Sequence, residues 1–406
     1  MKHRPRLAVV SPFLDKRHGT ERRVVEWISQ LAEGFEIHIY SQRVEDLDLS
    51  TVTWHRVPRL PGPHLFGFLW WLAANCLLRA WDRRFRGLQY DVVYSPGLNC
   101  LDADVISVHI LFAEYVRRAE PKIEFTLNSA RSWPRLIHRK LYYRLAIALE
   151  HLAYTQPRIT LFSISRKTAA DLGRLYGRHD PVRVIYAGLD HAKLNSTRRL
   201  ALRERARKEL ALAEEHFVLI MIGNDWHNKG LPVLLRALAV LRPLPIRLLV
   251  VSAENSAACA AAVRDCGLDD CVRILPPRDD VELYYAAADL CTGPSLEDAF
   301  ALPPAEAMAC GLPVIVSAST GVSEIITDGA DGLILQNPAD SNALVAMIRR
   351  LYEDRGYRDQ LGRNAEKTAL QYTWERNGRE LASIFGDILS RKAQLARQPL
   401  AQERDA

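Results

Sequence analysis

The feature that most constrains this chain is a rhythm. Short apolar runs, each closed by a loop and followed by a helix with one apolar stripe, recur along the first half and then start again in the second. The first half carries Leu7-Ala-Val-Val10, Glu36 to Tyr40, Asp91 to Ser95, Val105 to His109, Ile159 to Ser163 and Val182 to Gly188. Most of these runs are too continuously apolar for a strand with one wet face, so they read as parallel strands covered on both sides. Between them, Glu21 to Ala32 places Val24, Val25, Ile28 and Leu31 on one helical face. The second half repeats the pattern with Phe217 to Gly223, a helix over Lys229 to Leu241, Arg247 to Ser252, Val272 to Leu275, a helix over Glu282 to Ala288, Leu290 to Thr292 and Pro313 to Ser317. Pro232 is acceptable in the first turn of its helix. Alternation of this kind, run through twice, predicts two doubly wound α/β domains with their boundary in Leu189 to Asn195. A length of 406 residues is also too great for one ordinary core.

Composition narrows the class. With 48% hydrophobic and 25% charged residues the chain has the mix of a globular protein in water. The basic start, Met1 to Arg6, is followed by an apolar run too short for a signal peptide, so a cytoplasmic location is expected. Seven cysteines form no C-x-x-C pair, which favours reduced core thiols over disulfides or zinc. Charge is divided: residues 1–200 hold 31 Lys and Arg against 19 Asp and Glu, whereas the rest is net acidic. A basic first half suggests an anionic partner there, such as a membrane surface, a lipid-linked phosphate or an acidic saccharide, or else solvated helix faces; no nucleic acid is expected. Leu65 to Leu78 is apolar and is followed by Arg79, Arg83, Arg84 and Arg86. It is too short to span a bilayer, and both a core helix and an interfacial helix with Trp70, Trp71 and Trp81 at headgroup level fit it.

Ligands of open α/β sheets bind at the carboxyl ends of the strands, and four loops fall there. Asp15 to Glu21 contains Gly19 at the start of a helix, where backbone N–H groups can meet a phosphate. Gly223-Asn-Asp-Trp-His-Asn-Lys-Gly230 places Lys229 at a helix start, an ammonium suited to a diphosphate. Pro294 to Glu324 carries two carboxylates eight positions apart, Asp298 before a helix and Glu306 one turn into it. Asp298 can accept from a sugar hydroxyl, the N–H groups of Phe300, Ala301 and Leu302 can donate to one, and Glu306 can accept from a ribose. Thr320-Gly321-Val322 offers a second nest of N–H groups. As ordinary turns, surface charges and caps, each of these loops alone would need no ligand.

Together these residues resemble the large family of two-domain retaining glycosyltransferases that includes sucrose synthases, bacterial glycogen synthases and lipopolysaccharide and mannosyl transferases, the GT4-like group. Asp298 to Glu306 falls on the family's E-x7-E motif, Glu324 to Gly332 matches the segment after it, and Gly223 to Leu241, Ser165 to Asp190 and Tyr372-Thr-Trp-Glu375 also match. The resemblance implies a GT-B fold, α/β, with two Rossmann-like domains facing a cleft: residues 1–192 on the acceptor side, 193–374 binding a nucleotide-sugar donor, a helix over 375–392 crossing back to the first domain, and a flexible tail over 393–406. It implies that Gly19, Gly223, Asn224, Lys229, Asp298, Phe300, Ala301, Leu302, Glu306, Gly321 and Val322 bind the donor, that Lys229 holds the diphosphate, and that His109 faces the sugar. Catalysis would rest on His109, Asp298 and Lys229, with the base near Leu275 and Pro276.

Three positions depart from the family pattern. The first motif carboxylate is Asp298 rather than glutamate, Asn224 stands where an arginine is usual, and His18-Gly19 replaces a frequent Gly-Gly. The expected reaction is metal-independent transfer, with retention, from a nucleotide-diphosphate sugar to a saccharide or lipid-linked acceptor in cell-surface polysaccharide or glycolipid synthesis, without any other cofactor. Alternatives are a catalytically silent nucleotide-sugar-binding subunit, a sugar-nucleotide epimerase, and a metal-dependent transferase using the triplet Asp102-Ala-Asp104.

Overall fold

The computed structural model of the protein describes residues 4–16, 19–118, 133–253 and 256–397. The chain start, Arg17 and His18 of the first loop, and 398–406 of the expected tail therefore lie outside the described residues. Two compact units form, one from Met1–Gly188 with Trp374–Ala406, the other from Leu189–Thr373.

The first unit runs β1 (Arg6–Val10), β2 (Phe13–Leu14), α1 (Gly19–Leu31), β3 (Glu36–Ser41), β4 (Arg43–Val44), β5 (Val52–Arg56), α2 (His64–Phe85), β6 (Val92–Pro96), β7 (Val105–Val108), α3 (Phe112–Arg118), α4 (Trp133–Tyr154), β8 (Thr160–Ser163), α5 (Arg166–Tyr176) and β9 (Arg183–Val184). Its main sheet has the order β5-β3-β1-β6-β7-β8-β9, parallel throughout, and β2 pairs with β4 beside it. Parallel neighbours need a crossover, and the apolar stripes of the crossover helices cover both sheet faces. Val24, Val25, Trp27 and Ile28 of α1 close one face, and Trp71, Ala153, Tyr154 and Leu172 from α2, α4 and α5 close the other.

The second unit runs α6 (Ser196–Glu209), β10 (Phe217–Ile222), α7 (Leu231–Leu241), β11 (Ile246–Val251), α8 (Ser256–Asp265), β12 (Val272–Leu275), α9 (Glu282–Ala287), β13 (Leu290–Gly293), α10 (Leu302–Ala309), β14 (Val314–Ser317), a 3-10 turn over Gly321–Ile325, β15 (Leu333–Leu335), α11 (Ser341–Glu353) and α12 (Arg355–Ala369). The sheet order β12-β11-β10-β13-β14-β15 is again parallel. Winding reverses between β10 and β13, so the loops after these two strands diverge and leave a crevice at their carboxyl ends.

The chain leaves the first unit and returns to it side by side. Leu189 N–H donates to the Tyr372 carbonyl at 3.1 Å. On return, α13 (Trp374–Arg397) packs along α1, with Leu381, Ile384, Phe385 and Ile388 in that core. The approach of the two helices is close: a Cβ on Gly378 would lie 2.6 Å from Gln30 Cβ.

Several expectations shift. The run over 182–188 makes only the two-residue strand β9, an edge position with a single neighbour. The helix expected from Lys229 begins at Leu231, after Gly230 in the left-handed region at φ 83°. The last helix continues to Arg397, because Lys392 to Arg397 are helix formers that need no apolar face. Cys76 and Cys266 are exposed, whereas the other five thiols are buried. The helix expected over 65–78 is 22 residues long and is one-sided: Trp71, Ala74, Asn75, Arg79 and Asp82 are buried, while Phe66, Leu69, Trp70, Leu77, Trp81 and Phe85 are exposed.

Backbone proximity sets one tight constraint. A Cβ on Gly362 of α12 would stand 2.4 Å from the Gly311 carbonyl oxygen, which is rigid backbone. Gly362→Ala should therefore destabilise the second unit by about 1–3 kcal/mol, as overpacking does, seen as a lower denaturation midpoint; an unchanged or raised midpoint would contradict the packing.

Candidate functional site

The crevice at the carboxyl ends of β10 and β13 gathers most of the residues singled out above. Gly223 ends β10 at φ 151°, a conformation closed to most side chains. A Cβ there would lie 2.9 Å from Lys229 Cε, so the glycine is what lets the lysine side chain run back across the strand end. Gly230 is as restricted, since a Cβ would come within 2.1 Å of the Pro294 carbonyl oxygen. The loops after β10 and β13 are clamped together there. Buried Asn228 donates from Nδ2 to the Glu297 carbonyl at 2.8 Å, and its own carbonyl accepts from Leu296 N–H at 2.7 Å.

At the centre, Lys229 Nζ donates to Asp298 Oδ2 in a partly buried ion pair. Asp298 Oδ1 accepts from the N–H groups of Phe300 at 3.1 Å and Ala301 at 2.9 Å. Burial disfavours the charged carboxylate, but the Lys229 ammonium and the two N–H donors outweigh it and hold Asp298 below the usual aspartate range. Ala301 then caps α10 at φ 67°, a left-handed conformation that costs a non-glycine residue about 1–3 kcal/mol. Strain of that size persists only where surrounding contacts fix it, and here the Asp298 carboxylate fixes it from one side.

The N–H groups expected to reach a ligand are largely turned inward. Phe300 and Ala301 donate to Asp298 as described. Gly321 N–H donates to the Asp298 carbonyl at 3.1 Å, and Val322 N–H to the Phe300 carbonyl at 2.7 Å. The first two donors close the loop after β13 on itself, the last two lock the loop after β14 onto it, and all four are engaged within the protein. Leu302 opens α10 next to them. Asn224 also looks away from Lys229: its Oδ1 accepts from Ala253 N–H at 2.9 Å, binding the loop after β11.

Glu306 lies one turn into α10, buried, with Oε2 accepting from the Tyr285 hydroxyl at 2.8 Å. Leu275 and Pro276 end β12, two strands from β10. Their carbonyls accept from Ser252 N–H at 3.1 Å and the Tyr284 hydroxyl at 2.7 Å. Sequence reasoning missed Asn228 and Tyr285. Asn228 stood in a quoted loop without a role, and Tyr285 is one of two adjacent tyrosines in a short helix, with nothing in the sequence to say which hydroxyl meets Glu306.

The other two residues belong to the first unit. Gly19 opens α1 exposed, with open space around the position of a Cβ. His109 follows β7 and is buried; its Nε2 lies 2.8 Å from Ser107 Oγ, its Nδ1 3.5 Å from Arg23 Nη1, and its ring 5.9 Å from that of Trp27. Arg23 was missed too, although it is a charge within the buried stripe of α1 and so a visible irregularity. Burial, with the adjacent Arg23 guanidinium, pushes His109 well below the ordinary histidine value, so the imidazole is neutral. The triplet carboxylates are both engaged. Asp102 forms a fork with Arg79, and Asp104 accepts from Val93 N–H at 2.8 Å and pairs with Lys392 at 2.7 Å.

A sequence model described as Glycosyl transferases group 1 matches residues 203–368, and one described as Glycosyltransferase Family 4 matches residues 17–193. The chain belongs to the group 1 glycosyltransferases. D-inositol 3-phosphate glycosyltransferase of Salinispora tropica is 32% identical over 246 residues, covering 55% of this chain and 50% of that protein. The protein of the same name from Xylanimonas cellulosilytica is 30% identical over 246 residues, covering 57% and 58%. The chain thus spans little more than half the length of these relatives. Among solved structures, WaaG, a glycosyltransferase involved in lipopolysaccharide biosynthesis, superposes with a TM-score of 0.76 at 22% identity, over 93% of this chain and 99% of that one. Sucrose-phosphate synthase from Thermosynechococcus elongatus gives 0.76 at 20%, over 95% and 100%. Anabaena HepE in complex with UDP-glucose gives 0.71 at 18%, over 94% and 99%. The fold of this family member is accordingly GT-B.

The ion pair makes a testable electrostatic statement. Lys229→Met leaves the Asp298 carboxyl its burial and two N–H donors but no ammonium, so its pKa should rise, measured by carboxyl ¹³C NMR; an unmoved value would show that Lys229 does not hold it. In the unaltered protein the pair's contribution to stability is present above the unfolded aspartate pKa and is lost as pH falls through the lower folded value.

His109 works the other way. Its folded pKa is depressed, so unfolded chains bind a proton that the native unit refuses, and stability should fall as pH drops below the ordinary histidine range. Imidazole ¹⁵N NMR should show His109 titrating well below the ordinary histidine range; titration near the ordinary value would refute its buried setting.

Proposed function

We propose that the chain transfers a sugar, with retention of configuration and without a metal ion, from a nucleoside-diphosphate sugar to a hydroxyl of a saccharide or lipid-linked acceptor. The observation that carries this reading is the Lys229–Asp298 pair at the point where the winding of the second sheet reverses. It joins the one cation of the β10 loop to the first carboxylate of the motif. The complexes of related fold with UDP-glucose support a donor of this class.

In this reading the diphosphate takes the place of the carboxylate as partner of Lys229 Nζ. That exchange frees Asp298 Oδ2 to accept from a sugar hydroxyl, while Oδ1 stays fixed by Phe300 and Ala301. Donor binding and sugar orientation are then one event. Lys229 offsets the charge that grows on the leaving diphosphate. The departing phosphate oxygen takes the acceptor's proton, so no separate base is required. Glu306, oriented by Tyr285, accepts from the ribose hydroxyls, and Leu275 and Pro276 border the base. His109, being neutral, acts as a hydrogen-bonding group and not as an acid. An acceptor used in polysaccharide or glycolipid synthesis fits the basic first half of the sequence.

The purified chain, screened against a panel of nucleotide sugars with candidate acceptors, should release nucleoside diphosphate and yield a product of retained anomeric configuration by NMR. An inverted product would overturn the reading. Lys229→Ala should weaken nucleoside-diphosphate binding in calorimetry roughly tenfold to a hundredfold, the range of a charge-assisted hydrogen bond; unchanged affinity would remove Lys229 from the site.

A further inference from the structure

Helix α2 buries Trp71 and Ala74 in the core yet departs from the usual pattern of a helix in water on both faces. A surface helix turns its apolar stripe to the core and its charges outward. Here the inward face carries, beside Trp71 and Ala74, the buried polar groups of Asn75, Arg79 and Asp82, and each of these is tied down. Asn75 Nδ2 donates to the Asn99 carbonyl at 3.2 Å, Arg79 forks onto Asp102, and Asp82 Oδ2 accepts from the Tyr40 hydroxyl at 2.6 Å and lies 3.0 Å from His55 Nδ1. The outward face carries Phe66, Leu69, Trp70, Leu77 and Trp81, spaced at helical intervals and between 37% and 69% exposed. The stripe continues onto neighbouring α4, where Ile137 and Leu141 are 47% and 49% exposed. An apolar surface of this extent marks something that covers it.

We infer that the outward face of α2, with the adjoining face of α4, is a docking surface for an anionic lipid bilayer. Charge and length both favour lipid over protein as the occupant. Arg83 and Arg84 are exposed at the apolar stripe's end, the Arg84 guanidinium lying 5.6 Å above the Phe85 ring. Aromatic side chains that give way to arginines along one face match the transition from acyl chains to anionic headgroups. The helix lies on such a surface and does not cross it: no described helix is long and apolar enough to span a membrane, and α2 has Arg79 and Asp82 on its inner face. The inference stands apart from the transfer reaction, since it uses no residue of the site described above.

The test is co-sedimentation of the purified full chain with phosphatidylcholine vesicles and with phosphatidylcholine–phosphatidylglycerol vesicles. Binding to the anionic vesicles should exceed binding to the neutral ones at least tenfold and weaken as salt rises. The variant Leu77→Asp/Trp81→Asp should lose at least tenfold, and Arg83→Glu/Arg84→Glu should lose the preference for anionic lipid. These side chains are exposed, so far-UV circular dichroism and thermal midpoint should match the unaltered protein and keep the comparison valid. Absence of binding to anionic vesicles at low salt would overturn the inference, as would equal binding by Leu77→Asp/Trp81→Asp. So would a dimer in sedimentation equilibrium that this variant dissociates without any vesicle binding, which would assign the face to a second copy of the chain.

Discussion

Parallel pairing is the constraint on which the rest of this structure depends. A parallel strand cannot be joined to its neighbour by a tight turn, so each strand is followed by a crossover that returns to the same edge of the sheet. All the carboxyl ends of the strands then lie along one edge, and the loops that leave them are freed from pairing. Half of the second unit's positive-φ residues, four of eight, lie there. Gly223, Asp225, Gly230 and Ala301 all have positive φ, and all lie in the loops after β10 and β13. The ladders elsewhere are regular, which is what allows a few residues to be held in costly conformations without loss of the fold.

The same edge explains the electrostatics. Lys229 and Asp298 are 69 positions apart and meet only because β10 and β13 are neighbours in the sheet. Once they meet, the Asp298 carboxylate organises its own loop by accepting from Phe300 and Ala301, and its main chain organises the next by accepting from Gly321. One aspartate thus couples three loops. A longer acid at this position would have to fold back to reach the same two N–H groups, so the shorter side chain is matched to the tightness of this loop.

How much of this could be read in advance follows from how each element is stabilised. Strands β1, β7, β10 and β14 were legible because burial on both faces leaves continuous apolar runs. Strand β5, Val-Thr-Trp-His-Arg, was not, since it is an edge strand with a mixed face. Helix α6 left no apolar trace because it is attached by arginines. Arg199 donates to the Cys310 carbonyl at 2.7 Å, Arg203 to the Ala288 carbonyl at 3.0 Å, and Arg203 and Arg207 both pair with Asp289. These guanidinium groups cap the ends of α9 and α10, where unsatisfied carbonyls attract cations. In the site, Lys229, Asp298 and Glu306 were found from their spacing and from the family motif. The inward turning of Phe300, Ala301, Gly321 and Val322 was not, because which acceptor a backbone N–H finds depends on three-dimensional closure and not on residue type.

The buried charges of α2 show why its outward face must be an imposed feature and not a packing accident. A helix free to rotate about its axis by half a turn would bury Phe66, Trp70, Leu77 and Trp81 and release Arg79 and Asp82 to water. That rotation is blocked on the inner side. Buried Arg79 is held in a two-pronged bond to Asp102, whose carboxyl stays below the usual aspartate range beside that guanidinium. Asp82 is enclosed by His55, Tyr40 and Arg86. Breaking such a set leaves unpaired charge in the interior, which is costly. The triplet that could have been read as a metal-binding motif is therefore divided between two structural duties, Asp102 orienting α2 and Asp104 fastening α13 through Lys392. The polar interior fixes the helix, and in fixing it commits the aromatic face to the outside.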